Sequence, residues 1–489
     1  MKYILSIDQG TTSTRAMIFD KLGNNISSAQ MEFTQIIPAP GYVLHNPLEI
    51  WETVLEVIKE VLRKNDLTLN DINSIGITNQ RETTVMWDKY SGEPIYNAIV
   101  WQSRQSQKIC DDLIEKGYKD LIYNKTGLLI NPYFSASKIK YILDETNKYD
   151  EAKKGNILFG TIDTWLLWKF NKGHFTDVTN ASRTMLYNIN TLQWDDELLE
   201  LFNIPKEILP KVVPSSYNFG SVMIDGIEGS SKITSLVGDQ QASLFGQCCF
   251  NEGDIKNTYG TGCFMLMNTS TTPVYSKNGL LTTIAYGYDD KVYYALEGSV
   301  FVAGALIQWL RDGLKIIKNS NETEEMAKNG SMGCMIVPAF VGLGTPYWDN
   351  DVRGSILGLT RGISDKNICA AALEAIAFQS RDVLEVMVCD AHSKINSLSV
   401  DGGASVNNYL MQFQSDLLNI KITRPTCKET TALGAAYLAG LYTGFYKSID
   451  DIKKFHSIEK LFYPNKKVNE MDELYNKWKL AVKATQVFK

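Results

Sequence analysis

A chain of 489 residues with 44% hydrophobic side chains can bury large cores, and its length allows roughly three domains. A net charge of −6 without any Lys/Arg run argues against nucleic acid as a partner. Eight cysteines without a C-x-x-C and only four histidines argue against a zinc site or disulfide framework, and point to a reducing, cytoplasmic setting. No apolar run reaches the ~18 residues of a membrane span, so no integral membrane contact is expected. Asp8, Arg15 and Asp20 make the first twenty residues unlike a signal peptide.

Residues 4–20, ILSIDQGTTSTRAMIFD, organise the chain. An apolar run ends in Asp8, small residues follow to Ser13, and alternation resumes at Ala16 and Ile18, which predicts strand, tight turn, strand. Thr11, Thr12 and Ser13 place hydroxyls and backbone N–H groups beside a carboxylate, a set suited to phosphate plus a metal ion. An ordinary hairpin with an acid at its corner has the same pattern. Asn46-Pro47 predicts a helix to about Lys64 with a 3.6-residue apolar stripe, and its role is structural.

Residues 72–88 predict another strand–turn–strand, with Asn79, Gln80, Arg81 and Glu82 in the turn. Adjacent Arg and Glu at a strand end are ordinarily solvated. A second polar strand end, AIVWQSR with Trp101 and Arg104, instead suggests a pocket wall with one aromatic face. Asn131-Pro132-Tyr133 introduces a helical segment, 155–170 reads as a core helix, 177–188 as an irregular connection and 215–232 as an exposed loop. A short strand then ends at Gly238-Asp239, and Gln240 leads into a small-residue helix. The hairpin 255–268 turns at Gly260-Thr261-Gly262 and echoes the opening one, suggesting a duplicated α/β domain.

Residues 299–312 predict a helix with Gly304 and Gln308 on one face. A glycine there implies a close neighbour, a second helix being the simplest. Residues 396–413 read as strand, Asp401-Gly402-Gly403, then a helix whose start favours phosphate. The Ala/Gly-rich helix after Thr430 allows tight helix–sheet packing. There is no G-x-x-x-x-G-K-[ST], no H-R-D or D-F-G, and no strand-to-helix G-x-G-x-x-G. Two Gly–Thr hairpins, strand-end acids Asp8 and Asp239 and a DGG turn fit phosphates held between two α/β domains.

Read together, SIDQGTTSTRA, GITNQRETTVMWD, VWQSR, GDQQASLFGQ, NTYGTGCFMLMN, VAGALIQWLRD and DGGASVNNYLMQFQSD resemble the FGGY carbohydrate kinases, in particular the glycerol kinases among them. A C-terminal signature matches at 354–374. The first signature is met at Tyr133, Ser135, Lys138 and Ile139, with Tyr141 where the family usually has Trp. The resemblance runs end to end. It implies an α/β fold of two actin-like (RNase H-like) ATPase domains flanking a deep cleft: 1–247 for glycerol and phosphate, 248–489 for the adenine nucleotide.

The implied activity is ATP-dependent phosphorylation of glycerol to sn-glycerol 3-phosphate in glycerol uptake and catabolism, with Mg2+ and a homo-oligomeric assembly (dimer or tetramer). Arg81, Glu82, Tyr133 and Asp239 would form the polar shell around glycerol, Trp101 and Phe264 would bracket its carbons, and Gln240 would sit beside the general base, Asp239. Thr11, Thr12, Ser13, Arg15 and Thr261 would hold nucleotide phosphates. Gly304, Gln308, Gly403, Ala404 and Asn408 would line the adenosine side, and Asp8 and Asp239 would face magnesium. A sibling kinase for a pentulose or hexose derivative and a non-metabolic ATPase of the actin/hexokinase/Hsp70 superfamily are the alternatives. In some bacterial relatives a basic loop or a phosphorylated histidine shortly before GDQQ controls activity. Here 215–232 holds no histidine and carries Asp225 and Glu228 against Lys232, so insensitivity to both controls is expected.

Overall fold

The opening hairpin forms as its spacing predicts: Tyr3–Gln9 pairs antiparallel with Ser13–Phe19, Asp8 opposite Arg15. In the computed structural model, which describes residues 2–349 and 351–488, this hairpin supplies the fourth and fifth strands of a six-stranded mixed sheet. The sheet runs Ser221–Val222, Ser231–Gly238, Ile72–Asn79, Tyr3–Gln9, Ser13–Phe19, Asn25–Glu32. Its three central strands are parallel and their C-terminal ends lie level, Gln9 and Gly238 both registering with Asn79. Residues just beyond them therefore share one edge, where ligands of parallel sheets bind.

A seven-stranded sheet repeats the order around Ile255–Tyr259, which pairs antiparallel with Cys263–Asn268 and parallel with Ser397–Asp401. The echo between the two hairpins is thus a shared sheet topology. The two halves interlock through helices. Thr430–Thr443, although late in the chain, packs on the N-terminal sheet and crosses Asp239–Gly246. A Cβ on Gly434 would overlap the Ala242 carbonyl, and one on Gly76 the Ala435 carbonyl, which accounts for the small residues of this helix.

Several expectations need correction. Residues 155–170 are a buried strand, Ile157–Gly160, followed by a helix, Ile162–Asn171. The strand pairs with Val85–Asp88, which does not pair with Ile72–Asn79. Residues 177–188, expected as an irregular connection, hold a buried one-turn helix, Val178–Ala181, capped by Asp177, and a short strand, Tyr187–Asn188. The 215–232 stretch is exposed only in part, since Phe219, Val222 and Ile224 are buried and Ser221–Val222 edges the sheet. In 299–312 only Gly304–Asp312 is helical, because Ser299 and Val300 finish the strand Lys291–Val300. Among the described residues no helix is long and apolar enough to cross a membrane, and all eight cysteines are free thiols.

Candidate functional site

The level strand ends bring the predicted polar residues together. After Ile72–Asn79 the chain turns sharply, Glu82 taking φ +59°, uncommon for a non-glycine residue. The turn sends both Arg81 and Glu82 inward rather than into solvent. Their side chains are 2% and 1% exposed, far from the solvated arrangement such a pair ordinarily has. Arg81 Nε lies 3.3 Å from Asp239 Oδ1, and its Nη2 is 3.5 Å from the Tyr133 hydroxyl. Asp239 opens the helix Asp239–Gly246 and is 29% exposed, the most accessible charge of the group. Burial raises the Asp239 carboxyl above its ordinary range, against the pull of Arg81.

An aromatic wall stands beside these charges. Trp101 meets Tyr133 at 5.6 Å and Phe264 at 6.4 Å between ring centroids, both edge-on. Trp101 Nε1 donates to Thr11 Oγ1 at 2.9 Å, tying this wall to the opening turn. Asp8 is half-buried, and its carboxyl is pushed up to about 7, by desolvation first, then by the Asp239 and Glu429 carboxylates, with Arg15 opposing. A carboxyl whose proton affinity is raised by a neighbouring carboxylate, as that of Asp8 is by Asp239, suits a hydrated divalent cation completed by phosphates. Among the described residues no three His, Cys, Asp or Glu side chains gather into an all-protein metal cage.

The second half adds a cavity of about 600 Å³ lined by Gly260, Thr261, Gly304, Gln308, Gly403 and Ala404. A Cβ on Gly304 would stand 2.6 Å from the Gly260 carbonyl, so the close neighbour of that glycine is the hairpin turn, not a helix. Gly403 has open space where a side chain would be, leaving backbone accessible to a ligand. Asn407, not Asn408, lines the cavity; Asn408 instead donates to Glu324 at 2.9 Å through its amide. Arg15 likewise pairs with Glu429 at 2.9 Å. One hairpin serves both regions, Phe264 facing Trp101 and Thr261 facing the cavity.

The two halves match, in order, the N-terminal domain of the FGGY family of carbohydrate kinases over residues 3–246 and its C-terminal domain over 255–442. The chain belongs to the FGGY family of carbohydrate kinases. It is 55% identical to glycerol kinase 2 of Thermotoga maritima, covering 99% of this chain and 98% of that one. Identity to the glycerol kinase of Brevibacillus brevis is 57%, covering 100% and 99%. The crystal structure of Plasmodium falciparum glycerol kinase with ADP superposes with TM-score 0.92 at 38% identity, covering 99% of this chain and 98% of that one. The fold is accordingly the two-domain, mixed α/β fold of FGGY carbohydrate kinases.

Three buried charges at this FGGY site escaped the sequence reading. Arg183 Nε donates to Glu82 at 2.6 Å, and Glu297 accepts from Arg81 at 2.6 and 2.9 Å and from Arg183 at 3.0 Å. Burial works against the Glu297 charge, yet Arg183 and Arg81 hold its carboxyl down at about 2. Lys256 donates to Gln240 Oε1 at 2.5 Å, and burial lowers its ammonium to about 8 against Asp401 and Asp239. A lone charge inside an otherwise uncharged strand stretch such as YALEGSV was the available signal for Glu297. Arg183 is likewise the lone charge of VTNASRTMLYN, but that stretch carries no period to show which way the side chain faces.

Proposed function

We propose that this carbohydrate kinase phosphorylates glycerol to sn-glycerol 3-phosphate with ATP, with 1–247 holding glycerol and phosphate and 248–489 holding the adenine nucleotide. The observation that carries the reading is the cluster of buried Arg81 and Glu82 with the accessible Asp239, walled by Trp101, Tyr133 and Phe264. Aromatic edges suit a three-carbon chain, and neighbouring donors and acceptors suit vicinal hydroxyls. The names of the relatives, and the ADP in one of them, point the same way.

Asp239 accepts the proton of the attacking hydroxyl, whose oxygen forms the new bond to the γ-phosphorus as the bond to ADP breaks. Arg81 Nε, beside Asp239, aligns carboxylate and hydroxyl; Glu82 and Tyr133 complete the polar shell, and Gln240 sits alongside. Thr11, Thr12, Ser13, Arg15 and Thr261 hold phosphate oxygens, while Gly304, Gln308, Gly403 and Ala404 serve the adenosine side, with Asn407 in place of Asn408. Asp8 and Asp239 would hold Mg2+, which when bound neutralises charge on the transferring phosphate. Enclosure between the domains keeps water from taking the phosphoryl group.

Cytoplasmic glycerol catabolism and assembly into a dimer or tetramer belong to the same reading; light scattering measures the assembly. The deciding experiment is a coupled assay across glycerol, dihydroxyacetone, xylulose and gluconate. Glycerol is expected to lead in kcat/KM by about tenfold or more, and preference for xylulose or gluconate overturns the proposal.

A further inference from the structure

The buried ion cluster bridges the two sheets. Arg81, Glu82 and Arg183 come from the N-terminal half. Glu297 stands on Lys291–Val300 of the other sheet, registered with Leu266 on one side and Leu281 on the other. Its Oε2 accepts from Arg81 Nη1 and its Oε1 from Arg81 Nη2, a two-point grip on one planar guanidinium. Arg81 Nη1 also donates to Gln241 at 3.2 Å. With its outer nitrogens so engaged, Arg81 presents its Nε edge to Asp239. Because the guanidinium is rigid and planar, a grip on one side sets the direction of the other.

We infer that Glu297 is a positioning residue for the phosphoryl acceptor. By holding Arg81 from the second domain, it sets how Arg81 meets Asp239 and the acceptor hydroxyls. The acceptor pocket is then complete only while the two sheets are together. This rests on the acceptor-pocket reading above.

Glutamine at 297 would keep the shape but lose the charge and turn an N–H toward an Arg N–H. Arg81 and Arg183 would then share only Glu82 and Asp239, and Arg81 would be drawn onto Asp239, in competition with the acceptor. A merely structural ion pair would alter stability without separating the two substrates. The test is steady-state kinetics plus calorimetric titration of glycerol and of ATP, on wild type, Glu297→Gln and Glu297→Asp. Glycerol KM and Kd are expected to weaken about tenfold or more in Glu297→Gln, as for loss of a charged hydrogen bond. ATP KM should stay within about twofold, with Glu297→Asp intermediate for glycerol.

Equal weakening for both substrates, or unchanged glycerol affinity, overturns the inference. Should Glu297→Gln not fold by circular dichroism, Glu297→Asp decides alone. Its shorter reach is expected to raise glycerol KM and leave ATP KM, and wild-type glycerol affinity overturns the inference. A wild-type enzyme that prefers another polyol refutes the glycerol reading instead, and the same variants titrated with that polyol then test Glu297.

Discussion

At the scale of single residues, the site places like charges close together and offsets them with guanidinium groups. Asp239→Asn removes the proposed proton acceptor and one of the two carboxylates proposed to stand beside the transferring phosphate. Turnover is expected to fall by at least the ~10²-fold typical of general-base loss, with circular dichroism unchanged; activity within tenfold of wild type refutes the role. In Arg81→Ala both acids would keep a cationic neighbour, since Arg183 still faces Glu82 and Lys256 lies near Asp239. Away from the site, Asp163 is buried and pushed up to about 7, by burial and then by Asp177, while Thr161 and Thr176 donate to it. Its proton is bound more tightly in the folded than in the unfolded chain. The stability this contributes is full below the unfolded pKa near 4 and is lost as pH rises through about 7. Asp163→Asn is therefore expected to flatten the fall in Tm between roughly pH 4 and pH 7. An equally steep fall in the variant shows that other groups cause it.

At the scale of elements, glycines set how closely backbones approach. Where Thr430–Thr443 crosses Asp239–Gly246, a methyl on Gly434 meets the Ala242 carbonyl, backbone that cannot rotate away. Gly434→Ala is expected to lower stability by about 1–3 kcal/mol or more, despite the better helix propensity of Ala. Gly403→Ala, with open space at its Cβ, should cost far less. Denaturant titration of both variants checks the contrast, and equal midpoints refute it. The composition of the Thr430 helix was legible as tight packing. That it packs on the sheet of the other half was not, because an all-round small and apolar helix carries no face that names its partner.

At the scale of the whole molecule, the sheet-edge segment before Gly238 presents Asp225 and Glu228 with Lys232 to solvent, a negative surface. Fructose 1,6-bisphosphate at a concentration on the order of millimolar is expected to leave initial rates nearly unchanged; inhibition by more than half refutes this. The sequence by itself determined the hairpins, the strand-end acids and the order of motifs, because tight turns and alternation are local properties of the chain. It also brought Arg81, Glu82, Tyr133 and Asp239 into one expected site through the family pattern. Only the tertiary structure decided that Arg81 and Glu82 are buried. A bare Arg–Glu pair is ordinarily solvated, and what pays for its burial, Arg183 and Glu297, lies 101 and 216 residues away in the chain. Charge compensation depends on distance in space, and the register of two sheets, not any local period, sets that distance.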